Sequence, residues 1–326
     1  MMPERSNTPM ETPSDRYPEQ FGTMDLRERY QGALLGLAVG DAVGTVVEFS
    51  PRGTFSPVTD MVGGGPFDLE AGQWTDDTSM ALCLAASLVE KGDFDARDQM
   101  DRYVAWMQHG YMSSTGVCFD IGTTTSAALH AYIRSKNPFS GSTDPRAAGN
   151  GSLMRLAPVP MFYYPDIAAA IRYSGESSRT THAATECVDA CRYFAYLLCR
   201  AFTGHDKNAL LAPPESERFD PPLAPKVQAV ANGSFLSKPR DLIVGNGYVV
   251  NSLEAALWSF ASTNSYKEAV LAATNLGDDA DTTAAICGQI AGAYYGVSAI
   301  PEAWLAKLAL RSEIEELANR LLPAPV

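Results

Sequence analysis

The sequence predicts an all-α protein built as a single compact multi-helix domain, and three observations carry that reading. Strand signals are sparse: alternating β-branched runs are short and isolated, as at Tyr248 to Val250. Apolar residues recur instead at helical spacing along most of the chain. Glycines at 32, 36, 40 and 44, and again at 288, 292 and 296, fall on one helix face near each end of the sequence. Glycine is a poor helix former, so such stripes imply that a neighbouring helix comes close.

Taken in order, residues 1–24 open the chain as a polar extension. Met1 to Gln20 is rich in Pro, Ser, Glu and Arg without an apolar run, which reads as disorder and as neither signal peptide nor membrane anchor. The domain is expected over 25–326. Its first helix, from about Asp25 to Val46, contains the most apolar stretch, Gly32 to Val47. Asp41 interrupts that stretch and Glu48 ends it, so it reads as a helix buried in protein, with no membrane partner. Helical patterns follow at Ser79 to Val89, Asp98 to Gln108, Thr123 to Ile133, Ile167 to Tyr173 and Ala183 to Phe202. Residues 205–250, Pro-rich early and Gly-rich late, read as a surface excursion. The pattern resumes at Ser252 to Phe260, Tyr266 to Thr274, Ala284 to Tyr295 and Pro301 to Leu322, with no repeat of solenoid period.

With 326 residues, 46% of them hydrophobic, the chain can bury a large core. A net charge of −13 argues against nucleic-acid binding, which relies on Lys and Arg to neutralise phosphates. An anionic small ligand remains compatible, because cations and helix N-termini supply local positive potential. The six cysteines lie mostly within apolar helical patterns and form no CxxC pair, so they read as reduced core cysteines of a cytoplasmic protein. Cys187 and Cys191 sit one helical turn apart without partners for zinc.

Two acidic clusters carry the chemistry. Thr75-Asp76-Asp77-Thr78 and Asp278-Asp279-Ala280-Asp281-Thr282-Thr283 each run straight into an apolar helix. Carboxylate and hydroxyl oxygens suit hard divalent cations, and nothing soft stands beside them. Thr and Asp also cap helix N-termini, yet one carboxylate per helix meets that need. If the fold joins the clusters, their repulsion calls for cations between them.

Four further segments stand out: Gly40-Asp41 to Glu48-Phe49; Phe119-Asp120-Ile121-Gly122-Thr123; the turn Gly149 to Arg155, whose free N–H groups suit an anion; and Ser178 to His182 before a long helix. In this order they resemble the ADP-ribosylglycohydrolase family, from about Leu26 to the C-terminus. The motifs are GALLGLAVGDAVG with the following Glu, GQWTDDTSMAL, FDIG, GNGSLMR, Thr181-His182 and NLGDDADTTAAICGQIAGAYYG.

The resemblance implies an all-α hydrolase that uses two Mg²⁺ or Mn²⁺ ions to cleave the bond at the anomeric carbon of ADP-ribose. Carried over, Thr75, Asp76 and Asp77 supply one side of the metal pair. Asp279, Asp281 and Thr282 supply the other, with Asp281 as a bridge. Asp278 stands where many relatives have glycine and is left outside the ligand set. Glu48 falls on the family's flexible acidic position near the scissile bond and Asp120 on an acidic substrate-site position, and either one suits a water's proton or developing positive charge. Asn150, Gly151, Ser152 and Met154 correspond to the loop that holds ADP-ribose, and His182 to a diphosphate–ribose contact through a charge-assisted hydrogen bond. The motif set is complete, which disfavours a catalytically dead relative.

The leading expectation is removal of ADP-ribose from an arginine side chain of a modified protein. Serine linkages and O-acetyl-ADP-ribose are alternatives with the same metal centre. A third reading, of a different class, is an immunity-type protein that binds and blocks an ADP-ribosyltransferase through its N-terminal extension.

Overall fold

A computed structural model describes residues 24–212 and 219–323. The extension expected over 1–24 lies outside the described residues apart from Met24. Helices account for the regular structure: α1 (Leu26–Gly44), α2 (Asp76–Lys91), α3 (Ala96–His109), α4 (Thr123–Ser135), α5 (Pro158–Tyr163), α6 (Ile167–Thr181), α7 (Thr185–Thr203), α8 (Lys207–Leu211), α9 (Pro225–Ala231), α10 (Val249–Ala261), α11 (Tyr266–Thr274), α12 (Ala280–Tyr295), α13 (Glu302–Leu305) and α14 (Arg311–Arg320). Among the described residues extended pairing is limited to isolated bridges, one of them joining Gly149 to Tyr248. The strand signal at Tyr248 to Val250 is therefore corrected: Val249 already begins α10.

The centre of the molecule is the antiparallel pair α1 and α12. Their glycine stripes face each other, Gly32 against Gly292 and Gly36 against Gly288, with Gly40 against Ala284 and Gly44 against Asp281. A Cβ at Gly40 would run into the carbonyl oxygen of Ala284, which is backbone and cannot step aside. Residues Gly32 to Gly44 are buried throughout, as are Ala280 to Ala293. Leu26–Val47 is long and apolar enough to cross a membrane, but 89% of that window is buried inside the protein, so it is the core helix expected.

Several elements run further than their periodicity suggests. α2 starts at Asp76 and α12 at Ala280, so the acidic residues lie in the first helical turns or directly before them. α6 continues to Thr181, which places Ser178 to Thr181 in its last turn. The pattern Pro301 to Leu322 breaks into α13 and α14 because the intervening backbone pairs with the segment before α2. Ala309 N–H donates to Gly72 O at 2.9 Å, and Trp74 Nε1 donates to Ala309 O at 3.2 Å. All six cysteines are free thiols, five of them buried.

Candidate active site

The two acidic clusters meet, and neither is consumed by capping. Thr75 precedes α2 and Asp279 precedes α12, yet neither side chain caps its helix. Asp41, reaching across from α1, does that work for α2. It accepts from the N–H groups of Thr75 (3.0 Å) and Thr78 (3.1 Å), and from their hydroxyls at 2.9 and 2.6 Å. Asp41 is absent from the residues expected at the site. Its signal in the sequence is that of a lone charge within an apolar helix.

The hydroxyl of Thr75 shows how short of donors the cluster is. One proton serves oxygens of Asp41 at 2.9 Å, Asp281 at 3.1 Å and Asp77 at 3.2 Å. Thr282 adds a donor to Asp77 at 3.3 Å. Among the described residues, Asp77 Oδ1, Asp281 Oδ1 and Glu48 Oε2 are buried without a hydrogen-bond partner. Carboxylate oxygens of Asp41, Asp77 and Asp281 lie within 4.8 Å of one another, as do those of Glu48, Asp120 and Asp281. Oxygen-only donors, buried and unsatisfied, fit hard divalent cations.

Without cations the cost of this arrangement appears as raised carboxyl pKa values. Burial first, then Asp120, pushes Glu48 up to about 10. Burial and Asp41 raise Asp120 to about 7. Asp41 rises to about 6, burial outweighing the hydrogen bonds from Thr78 and Thr75. Asp76, Asp77 and Asp281 rise well above the usual range through burial and their acidic neighbours, and Asp279 rises through burial.

Over this floor opens a cavity of about 1050 Å³. Glu48, Asp76, Asp120, Asn150, Gly151, Met154, His182, Asp279 and Thr282 line it; Thr75, Asp77 and Asp281 lie buried beneath. Glu48 is held over α12 by backbone pairing: Phe49 N–H donates to Asp278 O at 2.7 Å, and Asp278 N–H to Ser50 O at 2.8 Å. Asp278 has φ 57°, a left-handed conformation that glycine adopts freely and aspartate tolerates. Phe49, with φ 60° and 63% exposed, stands at the mouth beside Glu48. Its ring is 6.4 Å from that of Phe67, which is 5.2 Å from Phe119, the neighbour of Asp120.

The glycine loop is partly reassigned by its contacts. Asn150 donates from Nδ2 to Asp279 Oδ2 at 2.7 Å and to Ser252 Oγ at 2.9 Å, so it orients a carboxylate. The Ser152 hydroxyl faces away from the cavity, accepting from Ser178 Oγ at 2.8 Å. The N–H groups of Gly151 and Ser152 make no hydrogen bond among the described residues, as an anion-binding loop requires. The charge-assisted role expected of His182 runs against its surroundings: burial, then Arg155, lowers its pKa to about 3. Asn246, Gly247 and Tyr248, read from sequence as part of a surface excursion, form another wall.

The family model described as ADP-ribosylglycohydrolase matches residues 22–325. The chain is 47% identical to "ADP-ribosylarginine hydrolase Tri1" of Pseudomonas putida (strain GB-1), over 90% of this chain and 78% of that protein. It is 43% identical to the protein of the same description from Serratia proteamaculans (strain 568), over 90% and 79%. A solved structure titled "ADP-ribosylglycohydrolase-related protein complex" superposes with a TM-score of 0.79 at 46% identity, covering 91% of this chain and 97% of that one.

Proposed function

The chain belongs to the ADP-ribosylglycohydrolase family and is a glycosidic-bond hydrolase, and from that premise we propose that it removes ADP-ribose from arginine side chains of a modified protein. The observation that carries this reading is the meeting of the two acidic helix starts beneath a cavity flanked by Glu48, Asp120 and the Gly149–Met154 loop. Thr75, Asp76, Asp77, Asp279, Asp281 and Thr282 would hold two Mg²⁺ or Mn²⁺ ions. Such ions, when bound, supply Lewis acidity toward the ribose hydroxyls and acidify water.

The chain's own groups do the rest. Carboxylate oxygens of Glu48 and Asp120 lie within 4.8 Å of each other, so one can give a proton to the departing guanidine while the other takes one from water. Their negative charge also faces the oxocarbenium character that develops at the ribose. Gly151 and Ser152 N–H groups and His182 serve the diphosphate side. The Phe49, Phe67 and Phe119 rings, beside the two carboxyl groups, suit the planar cation of the acceptor arginine.

Incubation with arginine-, serine- and acetyl-linked ADP-ribose, with Mg²⁺ or Mn²⁺ and with chelator, tests the reading. Metal-dependent release from arginine is expected; release from serine alone would move the chain to the alternative linkage. The polar segment ahead of the matched region supports a second role, the binding of an ADP-ribosyltransferase. Deletion of residues 1–20 that leaves hydrolysis intact and abolishes transferase inhibition would separate the two. The free, mostly buried thiols support a cytoplasmic setting.

A further inference from the structure

Arg155 is fully buried, and among the described residues its hydrogen bonds go to uncharged groups and to no carboxylate. A guanidinium stays charged inside a protein, so such burial is costly unless the cation has a task. Its neighbours are neutral. Nη1 donates to Gly151 O at 3.2 Å; Nη2 donates to Thr180 Oγ1 at 3.2 Å and to Thr181 Oγ1 at 2.8 Å. The guanidinium carbon also stands 4.7 Å from the centre of the Tyr103 ring.

The contact to Thr181 decides what lies beyond it. Thr181 Oγ1 is 2.8 Å from Nδ1 of His182. A guanidinium can only donate, so the hydroxyl accepts from Arg155 and keeps its single hydrogen to give. No other acceptor for that hydrogen is found among the described residues, which leaves Nδ1. An Nδ1 that accepts leaves the hydrogen of a neutral imidazole on Nε2. Nε2 has no hydrogen-bond partner among the described residues, and the ring edge that carries it packs on Gly149 and Gly151 at the cavity wall.

We propose that Arg155 is a positioning residue that acts through the Thr181 hydroxyl to lock His182 in the neutral Nε2–H tautomer, offering one fixed donor beside the free N–H groups of Gly151 and Ser152. The ring cannot turn its lone pair toward the cavity, where it would repel an anionic oxygen. The use of this donor for ADP-ribose rests on the function proposed above; the tautomer itself does not.

The protein has four histidines, so ¹⁵N-histidine labelling gives a short spectrum in which a His182→Gln variant identifies the ring in question. In the ligand-free wild type at neutral pH, His182 should show an unprotonated Nδ1 and a protonated Nε2. Thr181→Val should mix or reverse the tautomers and weaken binding of free ADP-ribose by roughly 3–10-fold, the loss of one neutral hydrogen bond. Thr181→Ser should restore both. A wild-type ring protonated at Nδ1, or a Thr181→Val protein with the Nε2–H signature unchanged, would overturn the proposal. A wild type with the expected tautomer and no affinity for ADP-ribose would instead count against the functional reading alone.

Discussion

The hydroxyl oxygen of Thr75 lies 3.1 Å from Oδ2 of Asp281, 206 residues later in the chain. That contact joins the start of α2 to the first turn of α12, and around it the neighbouring carboxylates divide into different kinds. Asp41 has four donors, whereas Asp77 and Asp281 each keep an oxygen with none among the described residues.

Asp77 and Asp41 should therefore respond oppositely to substitution. Asp77→Asn should abolish metal binding and activity while leaving the metal-free protein as stable or more so, since one repelled carboxylate is removed. Asp41→Ala strips the acceptor from two helix-terminal N–H groups and should cost about 3 kcal/mol. Urea unfolding in chelator reads both; an equal loss in Asp77→Asn would make that residue structural.

Stability of the metal-free protein should fall as pH rises. Folded pKa values of about 6 for Asp41, about 7 for Asp120 and about 10 for Glu48 exceed the unfolded value of about 4. Between those limits the folded state holds more protons than the unfolded one, so the slope of unfolding free energy with pH is negative. Asp93, lowered by its hydrogen bond from Tyr163, acts in the opposite sense but below that window. Melting curves in chelator should shift downward from about pH 5.5 to pH 8.5, and Mn²⁺ should flatten the trend by linkage. A rise across that range in chelator would contradict the charge assignment.

Glu48→Gln should reduce turnover by roughly 10²–10³-fold, the scale of general acid–base catalysis. Its metal content should remain near wild type, because the ion-holding set proposed here is complete without it. Elemental analysis of this variant beside Asp279→Asn decides the point: equal depletion in both would place Glu48 among the ligands.

Phe49→Ala should raise KM for an ADP-ribosylarginine peptide by roughly 2–5-fold, the worth of an exposed cation–π contact. Affinity for free ADP-ribose should not change. Phe49 is exposed, so the substitution leaves the core untouched. Equal weakening of product and peptide would remove the acceptor role from the aromatic rim.

The two acidic clusters stand out in the sequence because more carboxylates gather at two helix starts than capping explains. Asp41 was harder to see. A buried carboxylate that caps a different helix leaves only an interruption in an apolar run, and its partners Thr75 and Thr78 lie 34 and 37 residues away. The glycine loop was recognisable as a turn, but no pattern tells that Asn150 orients Asp279 or that Ser152 turns inward; both follow from neighbours far along the chain. The wall formed by Asn246 to Tyr248 was hidden for a related reason. It has no chemistry of its own and matters through where the fold puts it. The helix starts were read too late at α2 and α12 because charged residues mask the periodicity of a first turn.

The glycine stripes of α1 and α12 also determine what kinds of change the active site can undergo. Elsewhere in the core a poor fit can be absorbed when a side chain rotates or a methyl group is gained or lost. Between these helices main chain rests on main chain, so no small adjustment is available. The spacing between Glu48, just past the end of α1, and Asp281, in the first turn of α12, is thus a stepped quantity. It can be altered by sliding one helix a full turn of about 5.4 Å, but hardly by drift. On the function proposed above, the surface loops around the mouth are where acceptor preference can be adjusted, while the carboxylate geometry beneath them is held by the main-chain contact.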